Sequence, residues 1–172
     1  MTRSYFFENI QILKGPKSTL KKETVLIKDG VIKAFGEKAL QKAELLGIKP
    51  QKAKNMLLAP CLVDPHSFLE SPFSGKEENI YSLIKKAKFA GYGQLGILPR
   101  SNLWRDKIES IISLKTLKSE VLIHLWAGFS MGGQGITLSK HNELLQYGAI
   151  GLADDDFIPP IEILKQGFLL GE

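Results

Sequence analysis

Cysteine is almost absent from this chain of 172 residues, where Cys61 stands alone. A single thiol excludes an internal disulfide and a zinc cluster built on cysteines, and it suits a reducing compartment. Long apolar runs are missing too. Nowhere are there about 18 consecutive apolar residues, so no membrane span is expected. MTRSYFFENIQILKG has no extended apolar stretch and no small-residue cleavage site, which argues against a secretory leader and for a cytoplasmic location. Dense basic blocks are also lacking. The net charge of +5 comes from lysines scattered through KSTLKKET, QKAKN, LIKKAKF and TLKSE, a pattern that reads as solvated surface and not as a nucleic-acid interface. SMGGQGIT contains neither GxGxxG nor a Walker lysine, so its glycines read as a flexible loop and not as a phosphate cradle. No serine lies in a GxSxG elbow and Cys61 has no cationic neighbour to activate it, which leaves nucleophilic catalysis without support.

What is present is enough for a core, since 44% of residues are hydrophobic and 24% charged. That balance fits one globular unit with a small subdomain. In the first part, SYFFENIQIL alternates weakly, and VLIKDGVIKAFG sets Asp29 and Gly30 between two β-rich runs, the signal for a tight hairpin. EKALQKAELLGIKPQKAKN, with Gly47 and Pro50 inside it, predicts a short helix and then a loop. Residues 1–55 therefore form a small β-rich subdomain.

From residue 56 to 172, apolar runs alternate with amphipathic segments. MLLAPCLVDPH, QLGILP, EVLIHLWAGF and AIGLADD read as four buried strands. KEENIYSLIKKAKFAGYG, SNLWRDKIESIISLKTLK, SKHNELLQYG and PPIEILKQGFLLGE read as the helices that follow them. Ile80, Leu83, Ile84 and Ala87 mark the inner face of the first helix, and Ile108, Ile111 and Ile112 that of the second. Four such units imply an α/β fold with a parallel sheet covered by helices. An open doubly wound sheet and the first half of an eight-stranded barrel both fit the pattern. A complete barrel needs about 250 residues, so this chain is not expected to close one by itself.

Parallel sheets of either kind gather ligands at the carboxyl ends of their strands. His66 ends the first strand, Pro99 and Arg100 the second, His124 to Phe129 the third, and Asp154, Asp155 and Asp156 the fourth. A lone histidine at a strand end is more often simply hydrogen-bonded than a metal ligand, and the aspartate run reads equally as a solvated turn with a helix cap. His124, within an apolar strand, is expected to be buried with its hydrogen bond satisfied. His141 is expected on an exposed helix surface.

Four stretches resemble the cyclic amidohydrolases, and among them the dihydroorotases most. LLAPCLVDPHSFLESP is similar to the first barrel strand of that family, usually APGxxDxHxHLREP; AGYGQLGILPRS is similar to the second, which usually ends in MPN. HLWAGFSMGGQGITLSKHNELLQYGAIGLADDD is similar to the segment ending in FSDDG, and VLIKDGVIKAFG looks like the hairpin of the family's small β-subdomain. The resemblance implies about four βα units of a partial TIM-type barrel. It also implies a zinc-activated water that opens or closes the dihydroorotate ring in pyrimidine synthesis.

Carried over position by position, His66 matches the first metal-binding histidine, and Asp154 or Asp155 the aspartate ligand. Phe68 replaces the second histidine, Glu70 the substrate-clamping arginine, Ser71 the glutamate after it, and Asp156 a glycine. Arg100 takes the place of a substrate-contacting asparagine and is the candidate for substrate binding. The remaining ligands of the family would lie beyond Glu172. The expectation is a dihydroorotase-like chain without catalytic competence alone and with its zinc lost. Two alternatives stand beside it: an altered metal-dependent hydrolase using His66, His124 and the aspartates, and a non-catalytic subunit. The second would pair with a further copy, with a chain that completes the barrel, or with aspartate transcarbamoylase.

Overall fold

Asp29 and Gly30 both adopt positive φ, 57° and 73°, the backbone of the two-residue turn whose twist matches the strands it joins. In the computed structural model, which describes residues 3–69, 79–100, 104–154 and 158–170, this turn links β2 (Lys21–Lys28) to β3 (Val31–Phe35). The chain divides into two compact units, Met1–Pro60 and Cys61–Glu172.

In the first unit β1 (Ser4–Ile12), β2, β3 and the two-residue strand β4 (Leu57–Leu58) form a sheet in the order β3-β2-β1-β4. β1 pairs antiparallel with β2 and parallel with β4. Its alternation is weak because both faces of the sheet are buried. Phe6 and Leu26 pack with Ala39 and Ala43 of α1 (Gly36–Leu45), while Phe7, Ile10, Ile12 and Val25 pack on the other side with Tyr5, Phe35 and Leu58. A bulge between Phe7 and Ile10, with Asn9 at φ 53°, shifts the register midway.

The second unit alternates β5 (Leu62–Ser67), α2 (Ile80–Phe89), β6 (Tyr92–Ile97), α3 (Ile108–Lys115), β7 (Leu122–Gly128), α4 (His141–Gln146), β8 (Ala149–Ala153) and α5 (Ile161–Leu169). Its four strands are parallel and lie side by side in chain order, β5-β6-β7-β8. That order has no reversal, so these strands contain no topological switch point of the doubly wound kind. α2 is started by Asn79, whose side chain accepts from the Ser82 amide while the Ser82 hydroxyl accepts from the Asn79 amide, a reciprocal cap. Leu95, Ile97, Leu125 and Ala127 point to the helices and meet Ala87, Ile111 and Leu144. Because side chains alternate along a strand, Gln94, Gly96, His124 and Trp126 occupy the opposite face.

Three expectations are corrected. MLLAPCLVDPH is two strands, since residues 59–61 interrupt it and Leu57 and Leu58 pair with β1; Pro60, with no amide hydrogen to give, cannot continue a ladder. The helix expected over SNLWRDKIESIISLKTLK begins only at Ile108. The side chains of Trp104, Arg105 and Asp106 are engaged with distant strands and loops, and these contacts outcompete a local helical turn. On α3, Ile111 is buried but Ile112 faces outward, and Leu114 packs on the core in its place. No described helix is long and apolar enough to cross a membrane.

Candidate functional site

Among the described residues, Asp64, Trp126 and Asp154, at or near the carboxyl ends of β5, β7 and β8, are each held in hydrogen bonds. Asp64 holds the end of β5. Its Oδ1 accepts the His66 amide at 3.0 Å and its Oδ2 accepts the Ser67 hydroxyl at 2.6 Å. His66 itself is exposed, its ring tilted against the Trp126 indole with centroids 5.7 Å apart. The indole Nε1 donates to the Pro65 carbonyl at 3.0 Å, so Trp126 braces β5 from two strands away. Gly96 makes that approach feasible, because a Cβ on it would stand 2.3 Å from the Pro65 oxygen.

Phe68 is 44% exposed, and the Arg100 guanidinium carbon lies over its ring, 5.6 Å from the centroid. This is a cation–π contact. His124, expected to be buried, is only half-buried, and its Nε2 donates to Gln94 Oε1 at 3.0 Å, so its hydrogen bond is met.

Asp154 follows β8 directly, and both its oxygens accept from Ser130: Oδ1 from the amide at 3.0 Å and Oδ2 from the hydroxyl at 2.5 Å. Ser130 is fully buried, and its Oγ also accepts the Gly135 amide at 2.7 Å. The glycine segment is thus tied down where a flexible loop was expected. Met131–Gly133 is a 3-10 turn, the Gly132 amide donates to Asp106 Oδ2 at 2.8 Å, and the Trp104 indole donates to the Ser130 carbonyl at 3.1 Å while packing against Gly133. Ser130→Ala would leave a buried amide and half a carboxylate without partners, so we expect a loss of roughly 2–3 kcal/mol. Urea unfolding monitored by tryptophan fluorescence checks it, and an unchanged midpoint would count against this network.

Arg105 and His141 are buried groups that the sequence reading missed or misplaced. Arg105 is 1% exposed, and its Nη1 lies 2.9–3.0 Å from the carbonyl oxygens of Ile97, Leu98 and Trp126. Burial lowers its pKa to about 10, which still leaves it cationic at neutral pH. It fastens the ends of β6 and β7 to each other. The one local hint was an arginine in WRD beside a strand end. His141 was expected on the surface; it is buried, with Nε2 donating to the Phe129 carbonyl at 2.7 Å and its ring 4.8 Å from that of Phe129. Its position at the start of a short helix carried no sign of this.

Zinc in a catalytic site takes three protein ligands and keeps one open position. Among the described residues, no group of three His, Cys, Asp or Glu side chains is gathered to hold one ion. At the rim His66 offers one imidazole, Phe68 offers no lone pair, and Asp154 is engaged through both oxygens. These residues do not fit the metal. Glu70, Ser71, Asp155 and Asp156 lie outside the described residues.

Comparison with known proteins gives a consistent family. A dihydroorotase of Geobacter sp. strain M21 is 30% identical over 135 residues, covering 76% of this chain and 31% of the relative. The chain is dihydroorotase-like. A dihydroorotase of Elusimicrobium minutum is 25% identical over 154 residues, covering 88% of the chain and 35% of the relative. A dihydroorotase-like protein of Synechocystis is 27% identical over 142 residues, covering 69% and 32%. The dihydroorotase-like chain therefore spans about a third of the length of the curated relatives it matches. No family model matches it.

Proposed function

We propose that this chain is a dihydroorotase-like partial barrel that keeps the strand-end architecture of a cyclic amidohydrolase and does not open a cyclic amide by itself. The four parallel strands in unreversed chain order support the barrel reading. The observation that carries the loss of activity is the donor set at the rim: Phe68 sits under Arg100, and Asp154 gives both oxygens to Ser130. A zinc-bound water is activated only by an ion held in firm geometry. Without that, His66, Asp154 and Arg100 serve packing and hydrogen bonding.

The test is the purified 172-residue chain, loaded with zinc and given dihydroorotate. Turnover is expected to equal the blank, with no zinc retained after dialysis. Metal-dependent ring opening that disappears in His66→Ala would overturn the reading.

An interaction role is the second reading. β5 stands at the end of the sheet order, with Leu62 and Val63 more than half exposed, and an exposed apolar outer strand favours a partner. Such a partner would be a chain that completes the barrel or, by the family resemblance, aspartate transcarbamoylase. Cosedimentation with that enzyme tests this second role.

A further inference from the structure

The lysines of KSTLKKET read singly as solvated surface, yet the turn between β1 and β2 sets Lys17 and Lys21 with Lys14 around one cleft of about 300 Å³, whose other walls are Ile12, Ser18 and Thr19. No acidic residue lines it. The main chain holds the cleft in shape. Ile12 and Lys21 are partners across the strand pair, the Leu13 amide donates to the Leu58 carbonyl at 2.9 Å, and the Ser18 amide donates to the Gly15 carbonyl at 3.0 Å, closing a turn with Pro16 at its second position. The Ser18 hydroxyl locks that turn, accepting the Gly15 amide at 2.9 Å and donating to the Gly15 carbonyl at 2.7 Å. Its proton is thereby committed, whereas the Thr19 hydroxyl bonds to no other group among the described residues.

Of the three lysines, Lys14 has a counter-charge: its Nζ lies 3.5 Å from Glu23 and 5.2 Å from the centre of the Phe35 ring. Among the described residues, Lys17 and Lys21 have no ion-pair partner. The walls of a cleft this size stand roughly 8 Å apart, about the Debye length at physiological salt, so its cations are not fully screened from one another. We infer that this cleft binds the phosphoryl group of a small phosphomonoester. Two unpaired cations match its charge of about −2 at neutral pH, where a carboxylate would answer only one of them. Lysine ammoniums meet phosphate as point charges and need no planar partner, and Thr19 adds a neutral donor. One cleft of this size takes one such group and not the repeating backbone of a nucleic acid. All of these residues belong to the first unit, so the inference does not depend on how the strand-end site is read.

A titration of the full 172-residue chain with inorganic phosphate, followed by amide chemical shifts at about pH 7.5 and about 50 mM salt, should move the amides of residues 13–21 with Kd on the order of 0.1–1 mM. Phenyl phosphate should do the same, because only the phosphoryl group is read. Lys17→Gln and Lys21→Gln are exposed substitutions outside the Gly15 and Ser18 bonds, and circular dichroism checks that they fold. Each should weaken phosphate about three- to fivefold, the scale of one exposed charge pair, and the double variant should show no measurable binding. Lys165→Gln, which removes an exposed lysine of α5, should leave the affinity unchanged. Acetate at equal concentration should leave the amides of residues 13–21 in place. The inference is overturned by an absence of shifts there with phosphate, by equal shifts with acetate, or by a double variant that binds as the parent does.

Discussion

Arg105→Ala is expected to cost about 3–5 kcal/mol, a large share of the roughly 5–15 kcal/mol that keeps an ordinary domain folded. The guanidinium is fully buried and lies against three main-chain carbonyls from two strands. Removing it leaves those carbonyls dry and unpaired, each such loss costing about 1–3 kcal/mol before relaxation. It also opens a cavity beneath the strand ends. Lysine is a poor substitute, since a compact ammonium cannot reproduce the planar fork of arginine, and Arg105→Lys is expected to recover less than half the loss. Urea denaturation followed by circular dichroism gives the numbers. An alanine variant with a midpoint near the parent's would show that water satisfies those carbonyls and that Arg105 is not a clamp.

Gly96→Ala is the second large effect. The added carbon would meet the Pro65 carbonyl oxygen at 2.3 Å and its carbon at 2.9 Å. Both are main-chain atoms of the neighbouring strand, so no side chain can swing aside. Either β5 moves off β6 or the bulge between Asp64 and Ser67 is rearranged, and overpacking of this kind costs about 1–3 kcal/mol, occasionally more. The Trp126 indole would also lose its bond to Pro65, so the loss should be visible as a shift in tryptophan emission as well as a lower urea midpoint. A variant with unchanged emission and midpoint would mean that β5 adjusts freely and does not depend on Gly96.

These two residues show how far local pattern reaches. The hairpin at Asp29 and Gly30, the inner face of α2, and the order of strands and helices were legible because each depends on neighbours within a few positions. Turn geometry and helical periodicity act over that range. The rim was legible in outline for the same reason, as His66, Arg100 and Asp154 are residues that a parallel sheet carries to its strand ends. Their chemical state was not. Asp154 is engaged by Ser130, 24 positions away, and Trp126 by Pro65, 61 positions away; neither spacing leaves a trace in periodicity.

The sequence by itself determined the class of fold and the likeness to dihydroorotases, since residue identity and short-range order suffice for each. Tertiary structure alone decided that Arg105 and His141 are buried, that LLAPCLV is divided between two sheets, that the glycine segment is pinned, and that Gly96 must be glycine. The physical reason is shared. Each is a matter of which groups are removed from water together, and only the folded chain brings those groups within reach.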